Sequence, residues 1–332
     1  MTSTPVHVLV TGGAGYIGSH TCKALAAAGM VPVTYDNLST GNDWAVKYGP
    51  LERGDLHDEA RLREVIRQYQ PIGVIHFAAF SLVGESMRDP LKYWRNNVGG
   101  TEALLHVMLD EGVNRIVFSS TAAVYGTPKG WPIREDAALA PINPYGASKL
   151  AMEQMLADAA RCLGLRAVAL RYFNAAGADP SAEIGEAHDP ETHLIPLALA
   201  AVRGDRGPLT VFGEEYDTPD GTCVRDYIHV NDLADAHLRA LDYTGKTEGY
   251  AAFNLGTGSG ASIREVITAA ERVTGRPLPH SVGPLREGDP AVLVADSAAA
   301  ERELGWVPQT SDLDSILASA WAWMERPGKN VG

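Results

Sequence analysis

The stretch VHVLVTGGAGYIGSH, residues 6–20, places a glycine-rich turn between a short apolar run and a helix-forming segment. Gly12, Gly15 and Gly18 lie in the turn, where backbone N–H groups can approach a pyrophosphate closely. A glycine triplet alone is a weak indicator and also fits a plain tight turn. The preceding strand and the following helix are the context that the motif requires, so the stretch predicts a dinucleotide-binding site.

The first half of the chain alternates short β-branched runs with longer helical stretches. We predict strands over 6–10, 31–35, 74–77, 116–119 and 167–170, and helices over 17–28, 59–68, 91–111 and 145–163. This alternation is typical of a parallel sheet covered by helices on both faces. The predicted fold class is α/β, a Rossmann-like doubly wound parallel sheet with a smaller C-terminal mixed α/β substrate lobe.

The second half is richer in Gly, Pro and Asp, with helices predicted over 193–204 and 261–275. Two later segments, 225–241 and 252–258, have the pattern strand, helix, strand, and we expect them to return to the first sheet. The predicted division is therefore discontinuous. A nucleotide-binding domain covers 1–175 plus about 224–257, and a sugar-binding lobe covers about 176–223 plus 258–328.

Composition excludes several classes of protein. The 332 residues include 28 Lys plus Arg against 41 Asp plus Glu, and the resulting net charge of -13 would repel nucleic acid. No apolar run approaches the roughly 20 residues of a membrane helix, and the start MTSTPVHVLV lacks a basic leader region. Cys22, Cys162 and Cys223 are odd in number and far apart, which fits no disulfide framework. We expect a cytoplasmic protein without nucleic-acid or membrane partners.

Two carboxylates could select the cofactor, one at the end of the second predicted strand and one in the similar segment RGDLHD (53–58). Asp36 ends the second strand, 18 residues after Gly18. There a carboxylate can accept hydrogen bonds from ribose hydroxyls and would repel a 2′-phosphate, which favours NAD over NADP. A turn-forming role is the alternative for Asp36. Asp55 could hold the adenine amino group, or could be an ordinary acid near a helix N-terminus.

The spacing Tyr-x3-Lys occurs twice. Tyr125 and Lys129 are separated by Gly-Thr-Pro, which indicates a turn. Tyr145 and Lys149 lie in the helical segment NPYGASKLAMEQMLADAA (143–160), where an i,i+4 spacing puts both side chains on one face. A phenol with a pKa near 10 becomes a base at neutral pH if cations such as Lys149 and an oxidised nicotinamide stabilise the phenolate. The alternative is an ordinary pair on an amphipathic helix.

Hydroxyl groups follow the fourth predicted strand. Ser120 and Thr121 lie at its carboxyl end, where open α/β sheets bind ligands, and one of them could share a proton with Tyr145. The alternative is a satisfied turn hydroxyl. His76 is expected to be a core histidine. The His- and Glu-rich segment GEAHDPETH (185–193) has no helical His pair, so we expect no metal there.

Several motifs together resemble the extended short-chain dehydrogenase/reductase family over residues 6–323. They are TGGAGYIGSH (11–20), HFAA (76–79), NNVGGT (96–101), SSTAAVYG (119–126), YGASK (145–149), LRYFNAAGA (170–178), LIP (194–196), DGTCVRDYIHVNDLADAH (220–237), NLGTG (254–258) and REGD (286–289). Within that family the resemblance is to nucleotide-sugar 4-epimerases. It implies NAD-dependent, reversible inversion at C4 of a UDP-hexose through a transient 4-keto sugar, by a homodimer formed through helices 91–111 and 145–163.

The resemblance also implies roles for individual residues. Tyr145 is the base, Lys149 its partner and Thr121 the assisting hydroxyl. The positions expected around NAD are Gly12, Gly15, Tyr16, Ile17, Gly18, Asp36, Asn37, Asp55, Leu56, Phe77, Ala78, Ala79, Asn97, Ser119, Tyr145, Lys149 and Tyr172. The positions expected around the UDP-sugar are Thr121, Tyr145, Asn174, His193, Leu194, Arg225, Arg286, Asp289 and Leu293. Arg225 and Arg286 suit a diphosphate because guanidinium groups bind phosphate oxygens.

Some positions depart from the family pattern. Thr121 stands where well-known members carry Ser, Ser81 where some place a Lys toward the cofactor, and His193 where some place Asn near the diphosphate. The size of Leu293 is expected to govern room for a 2-acetamido group. Other UDP-sugars, including N-acetylated, pentose and uronic acid forms, therefore remain alternatives, as does a catalytically silent NAD-binding protein.

The neighbouring dehydration reaction is disfavoured by two alanines. Related 4,6-dehydratases carry an acid/base carboxylate pair where this chain has Ala122 and Ala123. Without a carboxylate there, nothing would protonate a departing 6-hydroxyl group. We therefore expect oxidation and return at C4 rather than elimination.

Overall fold

The computed structural model describes residues 5–286 and 289–326. Its strands are His7–Thr11 (β1), Val31–Asp36 (β2), Leu51–Arg53 (β3), Val74–His76 (β4), Arg115–Thr121 (β5), Arg166–Tyr172 (β6), Asn174–Ala176 (β7), Leu209–Phe212 (β8), Val224–Arg225 (β9), Tyr227–His229 (β10), Tyr250–Leu255 (β11), Ala261–Ser262 (β12), His280–Gly283 (β13) and Val292–Leu293 (β14). Glu287 and Gly288 of the predicted REGD motif, and residues 327–328 of the predicted second lobe, lie outside the described residues.

The α-helices alternate with these strands in the first half of the chain. They are Tyr16–Ala27 (α1), Glu59–Tyr69 (α2), Val83–Ser86 (α3), Pro90–Tyr93 (α4), Gly100–Asp110 (α5), Pro144–Leu163 (α6), Leu194–Arg203 (α7), Val230–Lys246 (α8), Ile263–Thr274 (α9), Ala298–Leu304 (α10) and Leu313–Glu325 (α11). Short 3₁₀ turns occupy Asp43–Ala45 and Ala122–Tyr125. Within the described part of the chain, no helix is long and apolar enough to cross a membrane.

The central sheet has seven strands in the order β11-β6-β5-β4-β1-β2-β3, all paired in parallel. Strand order reverses between β1 and β4, so the carboxyl ends of these two strands open a crevice of the kind in which doubly wound sheets bind ligands. Separate apolar cores cover the two faces of the sheet. The predicted Rossmann-like fold class is confirmed.

A third apolar core lies away from the central sheet. It is built from α7, α9 and α11 with strand β8, and includes Leu199, Val211, Val266 and Leu317. Three small sheets accompany it, formed by β10 with β7, by β12, β9 and β14, and by β13 with β8. This part of the molecule forms the far wall of the crevice.

The structure corrects two predictions. The single helix expected over 91–111 is interrupted by a π-helical turn at Trp94–Gly99. Within that turn, the buried Asn97 side chain bonds both the N–H and the carbonyl of Phe80, at 2.9 and 3.0 Å, instead of facing solvent. The strand of segment 225–241 does not join the first sheet, since β10 pairs with β7. Helix α8 packs against α1, and β11 joins the sheet beside β6 as expected.

Candidate active site

The glycine turn is shaped by backbone packing. Gly12 has φ +72°, and a Cβ there would lie 2.6 Å from the N atom of Ala78 at the end of β4. A Cβ on Gly18 would lie 2.3 Å from the carbonyl oxygen of Gly12. Side chains would therefore push α1 away from the sheet. Their absence leaves the first N–H groups of α1 facing the crevice, which is the arrangement a dinucleotide pyrophosphate requires.

The two acidic residues sit at the carboxyl edge of the sheet beside this turn. Asp36 accepts hydrogen bonds from the N–H groups of Ala14 at 3.0 Å and Leu38 at 2.8 Å. Burial raises the pKa of Asp36, while those two hydrogen bonds oppose the rise. Asp55 accepts from the Asn37 side chain at 2.8 Å and from the backbone of His57. Both carboxylates line the cavity and keep lone pairs for hydroxyl or amino groups.

Tyr145 and Lys149 project from the first turns of α6. Asn143 caps this helix by accepting from the N–H of Gly146 at 2.8 Å, and Pro144 is its first residue. The ammonium of Lys149 is buried, and its Nζ donates to the carbonyl oxygen of Ser119 at 2.7 Å. This hydrogen bond ties the helix to the end of β5.

Thr121 ends β5 on the same side of the cavity. Its Oγ1 accepts from the N–H of Ala123 at 3.2 Å, which leaves its O–H free to donate elsewhere. Burial raises the pKa of the Tyr145 phenol, and a hydrogen bond with Thr121 acts in the opposite direction. Burial lowers the pKa of Lys149 to about 7, opposed by the charge of Glu153. A phenol, an ammonium and a hydroxyl are thus brought together beside one cavity.

The other Tyr-x3-Lys pair lies elsewhere. Tyr125 is buried, does not line the cavity, and donates from its hydroxyl to Asn254 at 2.7 Å. Lys129 is exposed. His76 is a core residue as expected, between Thr11 at 2.6 Å and Thr101 at 3.0 Å, and burial lowers its pKa to about 3.

A single cavity of about 1650 Å³ runs from the glycine turn to the second lobe. Every predicted site residue lines it except Asn97, which lies behind the wall and bonds Phe80 and Ser148. On the far wall, Arg225 donates to Asp289 at 2.5 Å, and the guanidinium of Arg286 lies 3.8 Å from the Phe212 ring centroid. The predicted cofactor and sugar positions therefore share one continuous space.

The His- and Glu-rich segment between β7 and α7 brings four of its side chains together in space. Glu186, His188, Glu191 and His193 offer ligand atoms within 4.8 Å of one another. The Nδ1 atoms of both histidines contact Oε1 of the buried Glu186. Burial alone would lower the pKa of His188, but hydrogen bonds to Glu186 and Glu191 raise it to about 10. The group is held by ion pairs, and the absence of a metal stays a prediction.

Other contacts near the cavity were not found from the sequence. Lys23 on α1 bonds Asp179 at 2.7 Å and Glu183 at 3.1 Å, and the Tyr16 hydroxyl donates to the Gly177 carbonyl at 2.5 Å. These bonds fasten the segment after β7 to the helix that follows the glycine turn. Charged residues in that loop were visible in the sequence, but their partners lie more than 150 residues away.

This fold and this cavity define a class of enzymes that oxidise or reduce an alcohol with a nicotinamide dinucleotide. The model of the NAD dependent epimerase/dehydratase family matches residues 8–256. The chain belongs to this family, and the resemblance stated from the sequence is confirmed.

Three relatives are similar over nearly the whole chain. The UDP-glucose 4-epimerase of Rhizobium meliloti (strain 1021) is 53% identical, covering 96% of this chain and 97% of the relative. The crystal structure of a Brucella ovis UDP-glucose 4-epimerase in complex with NAD is 54% identical, covers 95% and 97% of the two chains, and superposes with a TM-score of 0.93. That of Stenotrophomonas maltophila, with NAD and formylated UDP-arabinopyranose, is 41% identical, covers 96% and 97%, and also gives 0.93.

Proposed function

We propose that this chain inverts C4 of a UDP-hexose, interconverting UDP-galactose and UDP-glucose, with NAD as its cofactor. The observation that carries the proposal is the group formed by Tyr145, Lys149 and Thr121 in the cavity that also holds the glycine turn. Identity of 53% to a UDP-glucose 4-epimerase over almost the whole length supports the same reaction. The hydrogen on a sugar's C4 is not appreciably acidic, so inversion by simple proton removal is disfavoured.

The residues present fit NAD. A Cβ at Gly12 or Gly18 would fill the cradle beside α1, and Asp36 lies at the end of β2 where ribose hydroxyls are bound in Rossmann folds. When bound, NAD supplies reversible two-electron oxidation of the C4 alcohol. The residues that would hold it are Gly12, Gly15, Tyr16, Ile17, Gly18, Asp36, Asn37, Asp55, Leu56, Phe77, Ala78, Ala79, Ser119, Tyr145, Lys149 and Tyr172, with Asn97 supporting the wall.

Tyr145 moves the proton of the 4-hydroxyl group. Its phenolate accepts the proton of the 4-hydroxyl as C4 is oxidised, and returns it to the same oxygen when the 4-keto sugar is reduced on its opposite face. The Lys149 ammonium, anchored on the Ser119 carbonyl, stabilises the phenolate electrostatically. The Thr121 hydroxyl donates a hydrogen bond to the 4-oxygen of the sugar, which carries the developing negative charge. Ala122 and Ala123 also line the cavity and offer no carboxylate for elimination of water.

The nucleotide part of the substrate stays bound while the 4-keto sugar rotates to present its other face. Arg225 and Arg286 hold the diphosphate, and both line the same cavity as Tyr145. Asp289 orients Arg225 through their 2.5 Å hydrogen bond. The other proposed substrate contacts are Asn174, His193, Leu194 and Leu293.

The proposal of a homodimer rests on exposed apolar side chains, and the proposal of a cytoplasmic location rests on the state of the cysteines. Apolar side chains on α3 and α4 and directly after them are 42% to 70% exposed, namely Val83, Met87, Leu91 and Trp94, which supports a homodimer formed through 91–111 and 145–163. The cysteines are free thiols, which suits the reducing cytoplasm. We also retain the division into a nucleotide-binding domain (1–175 plus about 224–257) and a sugar-binding lobe (about 176–223 plus 258–328).

A second candidate is the same inversion on another UDP-sugar. It is favoured by the UDP-pentose derivative that the Stenotrophomonas maltophila relative binds, and by the position of Leu293, which limits the cavity beside Arg225. N-acetylated and uronic acid substrates are further forms of this alternative, and a catalytically silent NAD-binding protein is the last.

The experiment is incubation of the purified protein with UDP-galactose and no added cofactor, followed by proton NMR of the sugar. Appearance of UDP-glucose supports C4 inversion with NAD carried through purification. If no product forms even with NAD supplied, the UDP-hexose proposal is wrong. A panel of other UDP-sugars then separates the second candidate from the silent protein.

A further inference from the structure

A buried ion pair lies behind the candidate catalytic residues, outside the cavity. Arg171 on β6 donates from Nη2 to Glu153 Oε2 at 2.6 Å and from Nε to Oε1 at 3.0 Å. The Arg171 and Glu153 side chains are only 5% and 3% exposed. Two apolar side chains could fill this space without the cost of removing charges from water. The reason for the charges must therefore lie in what the pair contacts.

Hydrogen bonds from three strands fix the Glu153 carboxylate. Besides Arg171, the Ser120 hydroxyl on β5 donates to Oε1, and the Tyr250 hydroxyl on β11 donates to Oε2 at 3.0 Å. Arg171 in turn donates to the Tyr125 hydroxyl at 2.9 Å. The carboxylate is satisfied on both oxygens and held in one orientation.

Glu153 is aligned with the catalytic side chains. Tyr145, Lys149 and Glu153 follow one another at four-residue spacing on α6, so they lie along one face of the helix. Ser120, which bonds Glu153, directly follows Ser119, whose carbonyl accepts from Lys149. Glu153 thus lies one helical turn after Lys149 on α6, and its carboxylate contacts the same end of β5 that accepts the hydrogen bond from the ammonium group.

We propose that Glu153, clamped by Arg171, is a positioning residue that favours the ammonium form of Lys149. This inference rests on the proposed function, in which that ammonium stabilises the Tyr145 phenolate. Burial lowers the pKa of Lys149 to about 7, and the negative charge of Glu153 acts in the opposite direction. Without that charge, the pKa of Lys149 would fall further, and less of the ammonium form would be present to stabilise the phenolate.

The other titratable groups around Lys149 do not replace that carboxylate. Burial lowers the pKa of His76 on β4 to about 3, so it is neutral at working pH. Arg171 is positive and opposes the ammonium. The backbone carbonyl of Glu135 accepts a hydrogen bond from Arg171, while its carboxylate accepts from the N–H of Asn254. The remaining groups are phenols whose pKa values burial raises: Tyr93, Tyr125, Tyr172 and Tyr250 are neutral, and Tyr145 is the phenol whose phenolate the ammonium stabilises.

The test is the titration of Lys149 in the NAD-loaded protein labelled with ¹³C at lysine Cε, with its resonance assigned from Lys149→Met. Glu153→Gln keeps the size of the side chain but removes its charge. We expect the Lys149 midpoint to fall by about 1 pH unit. The alkaline limb of kcat for UDP-galactose should move to lower pH by the same amount. An unchanged midpoint would overturn the proposal.

Two further variants separate charge from packing. Glu153→Asp keeps the charge and should leave the Lys149 midpoint closer to that of the unmodified protein. Glu153→Gln combined with Arg171→Met removes both charges, so its midpoint should lie above that of the single variant, and it avoids an unpaired buried guanidinium. A purely structural role predicts lower kcat and thermal stability at every pH with a fixed midpoint. The lysine titration needs no turnover, so its result stands even if UDP-galactose is not a substrate.

Discussion

Replacing Gly146 by alanine is expected to displace the catalytic phenol while leaving the protein folded. Gly146 follows Tyr145 in the first turn of α6, and a Cβ there would lie 2.6 Å from the carbonyl oxygen of Ala123. Carbon and oxygen atoms in contact normally lie about 3.3 Å apart or more. The first turn of α6 must therefore move by roughly 0.7 Å, away from the loop that follows Thr121.

A displacement of this size has a predictable effect on rate. Misplacing a reacting group by about 1 Å can cost about 10²-fold, so we expect kcat to fall by about 10- to 100-fold, or about 1.4 to 2.7 kcal/mol. Stability should change less. Overpacking costs about 1 to 3 kcal/mol, and alanine is favoured over glycine in a helix by about 1 kcal/mol. The free energy of unfolding should therefore fall by about 0 to 2 kcal/mol.

The assay is conversion of UDP-galactose to UDP-glucose at saturating substrate, together with NAD content and urea unfolding of the same preparation. The matched control is Gly84→Ala, since Gly84 is also helical and a Cβ there meets nothing within 4 Å. We expect Gly84→Ala to retain full kcat. Full activity in Gly146→Ala would show that the close packing of α6 on the Ala123 carbonyl does not position Tyr145.

Three further predictions concern single side chains. Tyr145→Phe should lower kcat by about 10²- to 10⁴-fold with NAD content unchanged, whereas Tyr69→Phe, whose hydroxyl bonds Glu52 outside the cavity, should stay active. Leu293→Ala should raise kcat/KM for UDP-N-acetylgalactosamine relative to UDP-galactose in a competition assay; an unchanged ratio would remove Leu293 as the size filter. Because its ion pairs raise the pKa of His188 from 6.5 to about 10, its stabilising effect is complete below pH 6.5 and is lost as pH rises through 10. The difference in Tm between the unmodified protein and His188→Gln should shrink across that range, and a constant difference would contradict this.

Local pattern was sufficient to predict the sheet that carries the site. The alternation of β-branched runs and helices located both ends of β1, β2, β4, β5 and β6 to within two residues, because buried parallel strands require continuous apolar runs. Strand β3 (LER) was not predicted, since an edge strand of three residues with two charges has no such run. The break in the helix over 91–111 also escaped prediction, because it depends on Asn97 reaching the backbone of Phe80.

The site was predictable where its members are close in sequence. Spacing on one helix paired Tyr145 with Lys149, and the strand end supplied Thr121, so the candidate catalytic group followed from local rules. Glu153 and Arg171 escaped because their pairing joins α6 to β6 through tertiary packing. The ion-paired group around Glu186 escaped for a similar reason, since a loop without helical periodicity gives no spatial rule for its side chains.

In the proposed reaction, C4 is inverted by reversible oxidation and Tyr145 moves only the hydroxyl proton. The most direct test is to run the conversion of UDP-galactose in D₂O and observe C4 of the product UDP-glucose by proton NMR. We expect a full C4–H signal, because that hydrogen leaves with its electron pair and returns without contact with solvent. Deuterium at C4 of the product would mean that the hydrogen departs as a proton, and would rule out reversible oxidation at C4.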